Sequence, residues 1–295
     1  MEAITIARAS EDEAAACLAL MPQAAGWPIE LLVARRGAAI VGAAALRWRN
    51  EGRPAGFALW LHVIEPERRR GLGRLLLDAA TDLALDDADG LWTPEAVTEG
   101  GPSASFLRAC GFEAKRRDHH FEADVSAVLA EIGPPAERLR RRGQLPADLS
   151  LVPLSAPLVA PLAAIVAREL ESSPTAVASR LMSYIDHPES TRDRSRVAIL
   201  NGEVEGAILW RAWEQVALVE AWTIQPRSRQ GWLSALLMED ALQRGQAEGL
   251  ERVRFHCHES VRATIALARR CGAVERERRV SFYRALNDET ALVEA

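Results

Sequence analysis

The stretch PERRRGLG, residues 66–73, places three arginines and two glycines between two apolar runs. The run before it, 57–64, has the composition of a strand, and the run after it, 75–85, has the apolar spacing of a helix. The first N–H groups of a helix lack intrahelical partners and lie at the positive end of its dipole. Glycines at this point leave room for a ligand beside those N–H groups. The stretch therefore predicts a turn that binds an anion, most naturally a pyrophosphate.

Other phosphate-binding loops fit this stretch less well. It contains neither GxxxxGK[ST] nor a lysine, which excludes the loop of a nucleotide triphosphatase. Its glycines do not form GxGxxG, and it follows strands that resemble an antiparallel meander, so a dinucleotide-binding fold is weakly supported. An arginine-rich surface turn with a glycine cap remains the alternative that spacing alone leaves open.

Length and composition favour two ordinary domains. The chain has 295 residues, of which 48% are hydrophobic. Its net charge of −5 argues against general nucleic-acid binding. The four cysteines are scattered and form no CxxC pair, so neither a zinc site nor a disulfide framework is predicted. No signal peptide and no membrane-spanning run is recognisable, and we expect a cytoplasmic protein without a membrane partner.

The chain contains two copies of one pattern. IEPERRRGLGRLLLDAA at 64–80 recurs as IQPRSRQGWLSALLMEDA at 224–241, with the shared residues 160 positions apart. A Cys-Gly pair at 110–111 recurs at 271–272. A repeat of this length indicates a duplicated domain. We predict an N-terminal domain over 1–125, a linker with a short, solvated basic helix over 126–149, and a C-terminal domain over 150–295.

The first copy predicts an alternation of strands and helices. Its segments are a strand at 3–7, a capped helix starting at Ser10, strands at 29–35, 38–48 and 57–64, a helix at 75–85, a strand at 91–93, a helix at 103–110 and a closing strand at 112–125. The second copy repeats this order and adds a helix over 174–185, where Pro174 lies in the first turn.

These motifs resemble the GNAT superfamily of acetyl-CoA-dependent N-acetyltransferases. The family signature [QR]xxGx[GA] is matched by RRRGLG at 68–73, and a helix ending in GF is matched by SFLRACGF at 105–112. The resemblance implies an α/β (α+β) chain of two tandem GNAT-like domains, each a mixed, mostly antiparallel sheet flanked by helices. It also implies acetyl-CoA as co-substrate, and we expect no metal.

The resemblance assigns a cofactor site to the first copy. The backbone of His62, Val63 and Ile64 lines the acyl-pantetheine arm, in the gap where two neighbouring strands splay apart. The turn that holds the pyrophosphate comprises Arg68, Arg69, Arg70, Gly71, Leu72, Gly73 and Arg74. The amine enters between the strands at 57–64 and 91–93, where Trp60 and Trp92 are predicted to contact the acceptor.

The catalytic groups depart from the family pattern. The family often uses a glutamate on the fourth strand as base and a tyrosine on the last helix as acid; this strand has no carboxylate, and the tyrosine position is Leu107. We therefore select His62, which titrates near neutral pH, and Glu95 at the exit of the strand at 91–93. A histidine packed in a strand and a solvated loop carboxylate are the alternative interpretations. Glu99 and Ser103 are further candidates.

The two copies are not equal. The second copy has Ser228 at the first position of the signature and Leu233 at its last, where a leucine is expected to crowd a phosphate. We predict that the first copy binds acetyl-CoA and that the second is a structural or substrate-shaping domain; two active sites are the alternative. The second copy also has Glu220 at the position of Trp60.

The predicted function is transfer of an acetyl group from acetyl-CoA to a primary amine of a small molecule. Two alternatives stay open: a non-catalytic acyl-CoA-binding sensor or scaffold, and acetylation of a protein or peptide. The predicted partners are a small-molecule amine and neither nucleic acid nor membrane, and the predicted state is a monomer or homodimer.

Overall fold

The structure is a computed structural model that describes residues 2–25, 29–49, 55–170, 173–186, 195–228 and 232–286. The chain forms two compact units. Unit 1 comprises Met1–Arg117 and Arg279–Ala295, and unit 2 comprises Asp118–Arg278. Their membership differs from the predicted segments 1–125 and 150–295 because the last strand of each sequence half belongs largely to the other half's unit.

Unit 1 contains three helices and most of the strands of the first copy, within the described residues. In chain order these are β1 (Ile4–Arg8), α1 (Glu11–Leu20), β2 (Glu30–Arg36), β3 (Ala39–Arg49), β4 (Gly56–Val63), α2 (Leu72–Ala84), β5 (Gly90–Trp92), β6 (Val97–Thr98) and α3 (Pro102–Ala109). Strand β7 (Glu113–Asp124) then leads into unit 2. The predicted elements of the first copy are thus present, with small shifts of their ends.

Unit 2 continues with five helices and the remaining strands that the structure describes. These are α4 (Val125–Arg141), β8 (Ser150–Pro153), α5 (Ala156–Leu170), α6 (Pro174–Asp186), β9 (Arg196–Leu200), β10 (Glu203–Trp213), β11 (Val216–Ile224), α7 (Trp232–Ala247), β12 (Arg252–His258) and α8 (Arg262–Arg270). Strand β13 (Val274–Ala285) returns to unit 1. The additional helix predicted at 174–185 is α6.

Each unit has a mixed, mostly antiparallel sheet, as predicted. The strand order is β1-β2-β3-β4-β5-β13 in unit 1 and β7-β12-β11-β10-β9-β8 in unit 2. One neighbouring pair in each sheet is parallel, β4 with β5 and β11 with β12. The other pairs within each unit are antiparallel.

The strand predicted at 112–125 is present as β7, but the prediction that it closes the sheet of the first copy is wrong, because the closing strands are exchanged between the copies. Residues 118–124 of β7 pair with β12 in unit 2. The end of β13 pairs with β5 in unit 1, with Tyr283 opposite Trp92 and Ala285 opposite Gly90. Backbone hydrogen bonds are the same for every strand, so the sequence did not show which copy each strand completes.

The exchanged strands complete the hydrophobic cores. Phe282 of β13 is fully buried in unit 1 together with Leu76 and Leu91. Phe121 of β7 is buried in unit 2, where its ring lies 5.5 Å from that of Phe255. Each core therefore depends on an aromatic residue supplied by the other half of the sequence.

The segment predicted as a linker, 126–149, is largely the helix α4. Four of its residues at helical spacing, Val125, Val128, Ile132 and Ala136, are buried in the core of unit 2 or beside it. The helix continues through its internal prolines. Arg140, which was expected to be solvated, forms an ion pair with the buried Glu239 of α7. The helical spacing of the apolar residues thus favours a continuous helix, although prolines commonly end one.

Local signals fixed several helix ends. Ser10 and Glu13 form a capping box at the start of α1. Gly111 follows α3 with a φ of +80°, a conformation that glycine adopts without a steric penalty. Among the helices in the described part of the chain, none combines the length and the apolar character that crossing a membrane requires.

Candidate active site

A cleft of about 740 Å³ opens in unit 1 where β4 and β5 diverge. The two strands pair only from Gly56–Gly90 to Ala58–Trp92, and β4 then runs on to Val63 beside β3 alone. The residues that line the cleft are Gln23, Leu59, Trp60, Leu61, His62, Val63, Arg68, Arg69, Gly71, Gly73, Arg74, Thr93, Pro94, Glu95, Val97, Pro102, Ser103, Phe106, Leu107, Ala109 and Cys110. The strands thus splay at the place where the sequence predicted the acyl arm.

The turn after β4 has an unusual backbone conformation. A single 3-10 turn, Glu65–Glu67, follows the strand, and Gly71 caps α2 with a φ of +84°. Arg69 also has a positive φ, +64°, which is uncommon for a residue with a side chain and costs on the order of 1 kcal/mol. Two left-handed residues within three positions mark this turn as a strained and therefore candidate functional element.

The start of α2 leaves backbone donors at the edge of the cleft. The first intrahelical bonds are donated by Arg74 and Leu75, both to the carbonyl oxygen of Gly71. The N–H groups of Leu72 and Gly73 therefore precede the helical hydrogen-bond ladder. Gly71 and Gly73 line the cleft, so this end of the helix, with its positive dipole, faces the space where an anion would bind.

The arginines of the turn divide into two groups. Arg68, Arg69 and Arg74 line the cleft. Arg68 donates from Nε to the Val63 carbonyl oxygen at 2.9 Å, and Arg74 donates from Nη2 to the Ala109 carbonyl oxygen at 2.8 Å. Arg70 instead turns toward Glu67, with 3.5 Å between Nη1 and Oε2. Three of the four predicted arginines thus line the cleft.

His62 lies in the cleft wall on β4. Burial lowers the pKa of His62 below its ordinary value, and the positive charge of Arg68 lowers it further. Its imidazole is therefore neutral at neutral pH and is available to accept a proton. Glu95 lies on the same cleft, in the exposed loop after β5. The fold brings the two candidate catalytic side chains to one site.

The two tryptophans predicted to contact the acceptor occupy different environments. Trp60 lines the cleft, and the guanidinium of Arg47 lies 5.4 Å from the centre of its ring. Its indole N–H is buried and has no hydrogen-bond partner among the described residues. Trp92 packs against Tyr283 at 4.6 Å and Arg49 at 4.8 Å, and it is outside the set of described residues that line the cleft.

Several cleft residues were not selected from the sequence. Gln23 comes from the short 3-10 turn after α1, and Pro102, Phe106 and Cys110 come from α3 and its C-terminal end. The residues of α3 recur at helical spacing, so a helical-wheel analysis of 102–110 would have found them. Nothing in the sequence near Gln23 predicts its position, because that depends on how α1 packs against the sheet.

The equivalent region of unit 2 is built differently. Glu220 lies in a β-bulge of β11, between the pairs Leu209–Ala221 and Trp210–Val219. Burial raises its pKa, which the charge of Arg180 opposes, and Arg211 pairs with it at 2.6 Å. This carboxylate is enclosed by arginines, unlike the open wall of the cleft in unit 1.

Leu233 does not act as the sequence predicted. Its side chain is fully buried in the core of unit 2, so the expected crowding of a phosphate by Leu233 is wrong. A leucine at the start of α7 turns inward because burial of its side chain is favourable. The signature residues Arg229, Gln230 and Gly231 lie outside the described residues.

A family model described as the acetyltransferase (GNAT) family matches residues 7–112 and 164–273. The two matches cover each copy of the repeat once and together span more than half of the chain. None of the curated proteins matches the sequence significantly.

Solved structures share the architecture over nearly the whole chain. A tandem GNAT protein from the clavulanic acid biosynthesis pathway is 19% identical, with a TM-score of 0.62 over 97% of this chain and 99% of its own. A GCN5-related N-acetyltransferase from Sphaerobacter thermophilus is 14% identical, with a TM-score of 0.60 over 96% of both chains. A GCN5-related glucosamine N-acetyltransferase region of a fungal multi-domain β-N-acetylglucosaminidase is 14% identical, with a TM-score of 0.65 over 96% of this chain and 38% of that one. At these identities the likeness establishes the tandem fold.

Proposed function

The chain belongs to the GNAT family of acetyltransferases, and from this premise we propose that unit 1 transfers an acetyl group from acetyl-CoA to the primary amine of a small molecule. One observation carries the proposal: a single cleft joins the strained, glycine-containing turn at 68–73 to the free edge of β4. The turn suits an anion, and the free strand edge suits an extended amide-containing arm.

The residues of the turn fit the diphosphate of coenzyme A. The N–H groups of Leu72 and Gly73 precede the helical ladder, and the guanidinium groups of Arg68, Arg69 and Arg74 add positive charge on the cleft side. Guanidinium groups and helix N-termini are the two protein features that pair best with phosphate oxygens. Neither feature requires a metal ion.

We assign the role of proton acceptor to His62. Acetyl-CoA supplies a thioester whose carbonyl carbon accepts the amine and whose sulfur leaves as a thiolate. As the C–N bond forms and the C–S bond breaks, the neutral imidazole of His62 takes the proton that the amine nitrogen loses. Leu107 has no proton to give, so the thiolate takes its proton from solvent.

The acceptor side of the cleft combines an aromatic wall with one carboxylate. Trp60 offers a partly buried aromatic surface, and Glu95 offers a negative charge in an exposed position. A small amine whose ammonium group is attracted by Glu95 and whose body packs on Trp60 suits this surface.

The test is incubation of the full chain with acetyl-CoA and a panel of small amines, with detection of free thiol, alongside calorimetry with coenzyme A. We expect coenzyme A to bind and at least one amine to release thiol. Binding without turnover on any small amine or peptide would favour the sensor, and turnover on peptides alone would favour a protein acceptor. No heat with coenzyme A would contradict the proposal.

A further inference from the structure

A carboxylate is buried inside the cationic turn. Glu67 belongs to the sequence that supplies the arginines, yet it is only 9% exposed. Arg36 at the end of β2 binds it in a bidentate manner, from Nε at 3.1 Å and from Nη2 at 2.8 Å. Arg70 approaches the same carboxylate at 3.5 Å. The turn is thus tied to β2 by an ion pair between residues 31 positions apart.

This ion pair has an electrostatic consequence for an anion in the cleft. Hydrogen bonds from Arg36 lower the pKa of Glu67, with burial opposing and the charge of Arg70 assisting, so the carboxylate is ionised at neutral pH. An ionised carboxylate beside the turn would repel a diphosphate. Arg36 neutralises it and also fixes the turn in which Arg69 has its left-handed backbone.

The corresponding turn of unit 2 is also held by an ion pair to the sheet, but the charges are reversed and the partner lies on β10, the counterpart of β3, rather than on the counterpart of β2. Arg227 stands 160 residues after Glu67, at the equivalent position of the repeat. It is held by the buried Glu205 of β10, through both Nε and Nη2. The hydroxyl of Ser228, at the position of Arg68, donates to the same carboxylate at 2.6 Å. Among the described residues of the unit 2 turn, the cation Arg227 is therefore already paired with a buried acid.

We propose that Arg36 and Glu67 are positioning residues that set the polarity and shape of the diphosphate turn in unit 1. The inference rests on the proposed function, because it concerns affinity for coenzyme A. The pair draws Arg70 away from the cleft, neutralises the acid of the turn and holds the backbone around Arg69. It leaves Arg68, Arg69 and Arg74 on the side of the ligand.

The neighbouring residue provides a matched control. Arg35 precedes Arg36 on β2, and successive strand residues face opposite sides of the sheet. Arg35 also binds a glutamate in a bidentate manner, donating to Glu13 of α1 at 2.5 Å through both Nε and Nη2. The two arginine side chains are similarly exposed, 25% and 23%. The two ion pairs therefore differ mainly in whether they hold the turn.

The experiment compares Arg36→Met with Arg35→Met in the full chain. Calorimetry measures coenzyme A affinity, and kinetics compare acetyl-CoA with S-acetylpantetheine, which lacks the diphosphate. We expect Arg36→Met to weaken coenzyme A binding about tenfold and to raise the KM for acetyl-CoA without lowering kcat. Arg35→Met should leave coenzyme A affinity unchanged, and neither change should alter kcat/KM for S-acetylpantetheine.

Charge exchange supplies the second variant if Arg36→Met is too unstable to study. The double variant Arg36→Glu/Glu67→Arg reproduces the polarity of the pair in unit 2, and it should fold while binding coenzyme A more weakly than the wild type. Arg36→Lys, which keeps the charge but loses the planar fork, should show an intermediate affinity. Unchanged coenzyme A affinity in both Arg36→Met and the double variant would overturn the positioning role. If the wild type itself binds no coenzyme A, the proposed function fails first and the inference fails with it.

Discussion

An ion pair holds the turn of each unit, but the charges are reversed. The turn contributes the acid of Arg36–Glu67 in unit 1 and the base of Glu205–Arg227 in unit 2. In unit 1 the buried acid belongs to the turn and its partner arginine comes from the sheet, and Arg68, Arg69 and Arg74 of the turn line the cleft. In unit 2 the buried acid belongs to the sheet and engages both Arg227 and Ser228. The described arginine of the unit 2 turn, Arg227, is thus paired with a buried acid, whereas three arginines of the unit 1 turn line the cleft.

The strands that precede the two turns, β4 and β11, also differ at their equivalent positions. Trp60 on β4 lies on a wide cleft beneath the guanidinium of Arg47. Its sequence counterpart, Glu220 on β11, is half-buried and pairs with Arg211 and Arg180. A carboxylate that is already paired with arginines is less available to a substrate than an open aromatic wall. Both comparisons favour unit 1 as the site of chemistry.

The largest expected effect tests which unit each exchanged strand supports. Phe282→Ala should destabilise unit 1 by about 3–5 kcal/mol, since it empties a fully buried position. Phe121→Ala should destabilise unit 2 instead, although it lies in the sequence half that contains the cofactor turn. Denaturation with and without coenzyme A checks this: ligand protection should be lost in the Phe282 variant and kept in the Phe121 variant. Protection by coenzyme A that is kept in the Phe282 variant and lost in the Phe121 variant would contradict this assignment of the strands.

A second test concerns the proton acceptor. His62→Gln should lower kcat about 1000-fold, within the usual range for loss of a general base. Because burial depresses the pKa of His62, the wild-type kcat/KM should rise with pH, with a midpoint below the ordinary histidine value. That rise should vanish in the variant. Glu220→Gln in unit 2 serves as the control and should leave the pH profile unchanged.

A third test exchanges the signature residues. Gly73→Leu copies Leu233 into unit 1, where even a Cβ would lie 3.3 Å from the Phe106 ring. We expect the rate of acetyl transfer to fall about 100-fold, as a misplacement of about 1 Å can cause, and calorimetry should show weaker binding of coenzyme A. Leu233→Ala should cost about 2–5 kcal/mol of unfolding free energy because it opens a cavity in unit 2. A weaker coenzyme A affinity in the Leu233 variant would contradict the assignment of the site to unit 1.

The smallest expected effect concerns acid stability of unit 2. Hydrogen bonds from Arg276, Arg254 and Arg252 hold the pKa of the buried Glu122 at about 2, against the effect of burial. A depressed pKa contributes stability above the unfolded value, and this stability is lost as pH falls toward 2. Glu122→Gln should lower Tm by about 2–4 °C at neutral pH and flatten its decline in acid. Calorimetric scans between about pH 5 and pH 2, which bracket the unfolded and folded pKa values, measure how Tm declines in acid. A variant whose Tm declines as steeply as that of the wild type would argue against this role of Glu122.

The sequence predicted the elements of each unit well because their signals are local. The apolar run at 57–64, the capping box at Ser10 and the glycine after α3 act over a few residues. The segment predicted as a linker instead forms the long helix α4, in which Val128 and Ile132 keep helical spacing although Pro134 and Pro135 lie inside the helix. In the site, the sequence identified the turn and His62, whereas it placed Trp92 on a cleft that Trp92 does not line.

The sequence by itself determined that the chain is a duplication, that both copies alternate strands and helices in the order of the GNAT family, and that the first copy carries the intact signature [QR]xxGx[GA], which predicts an anion-binding turn. The duplication follows from a pattern that recurs 160 positions later, and the strands and helices follow from periodicity over a few residues; the family order follows from the resemblance of the motifs.

The tertiary structure alone decided how distant segments combine. It assigned β7 to unit 2 and β13 to unit 1, buried Leu233 in a core, and placed Arg36 against Glu67. The physical reason is that strand pairing and ion-pair formation depend on proximity in space. Two similar copies offer equivalent strand edges, and only the complete packing of both units distinguishes them.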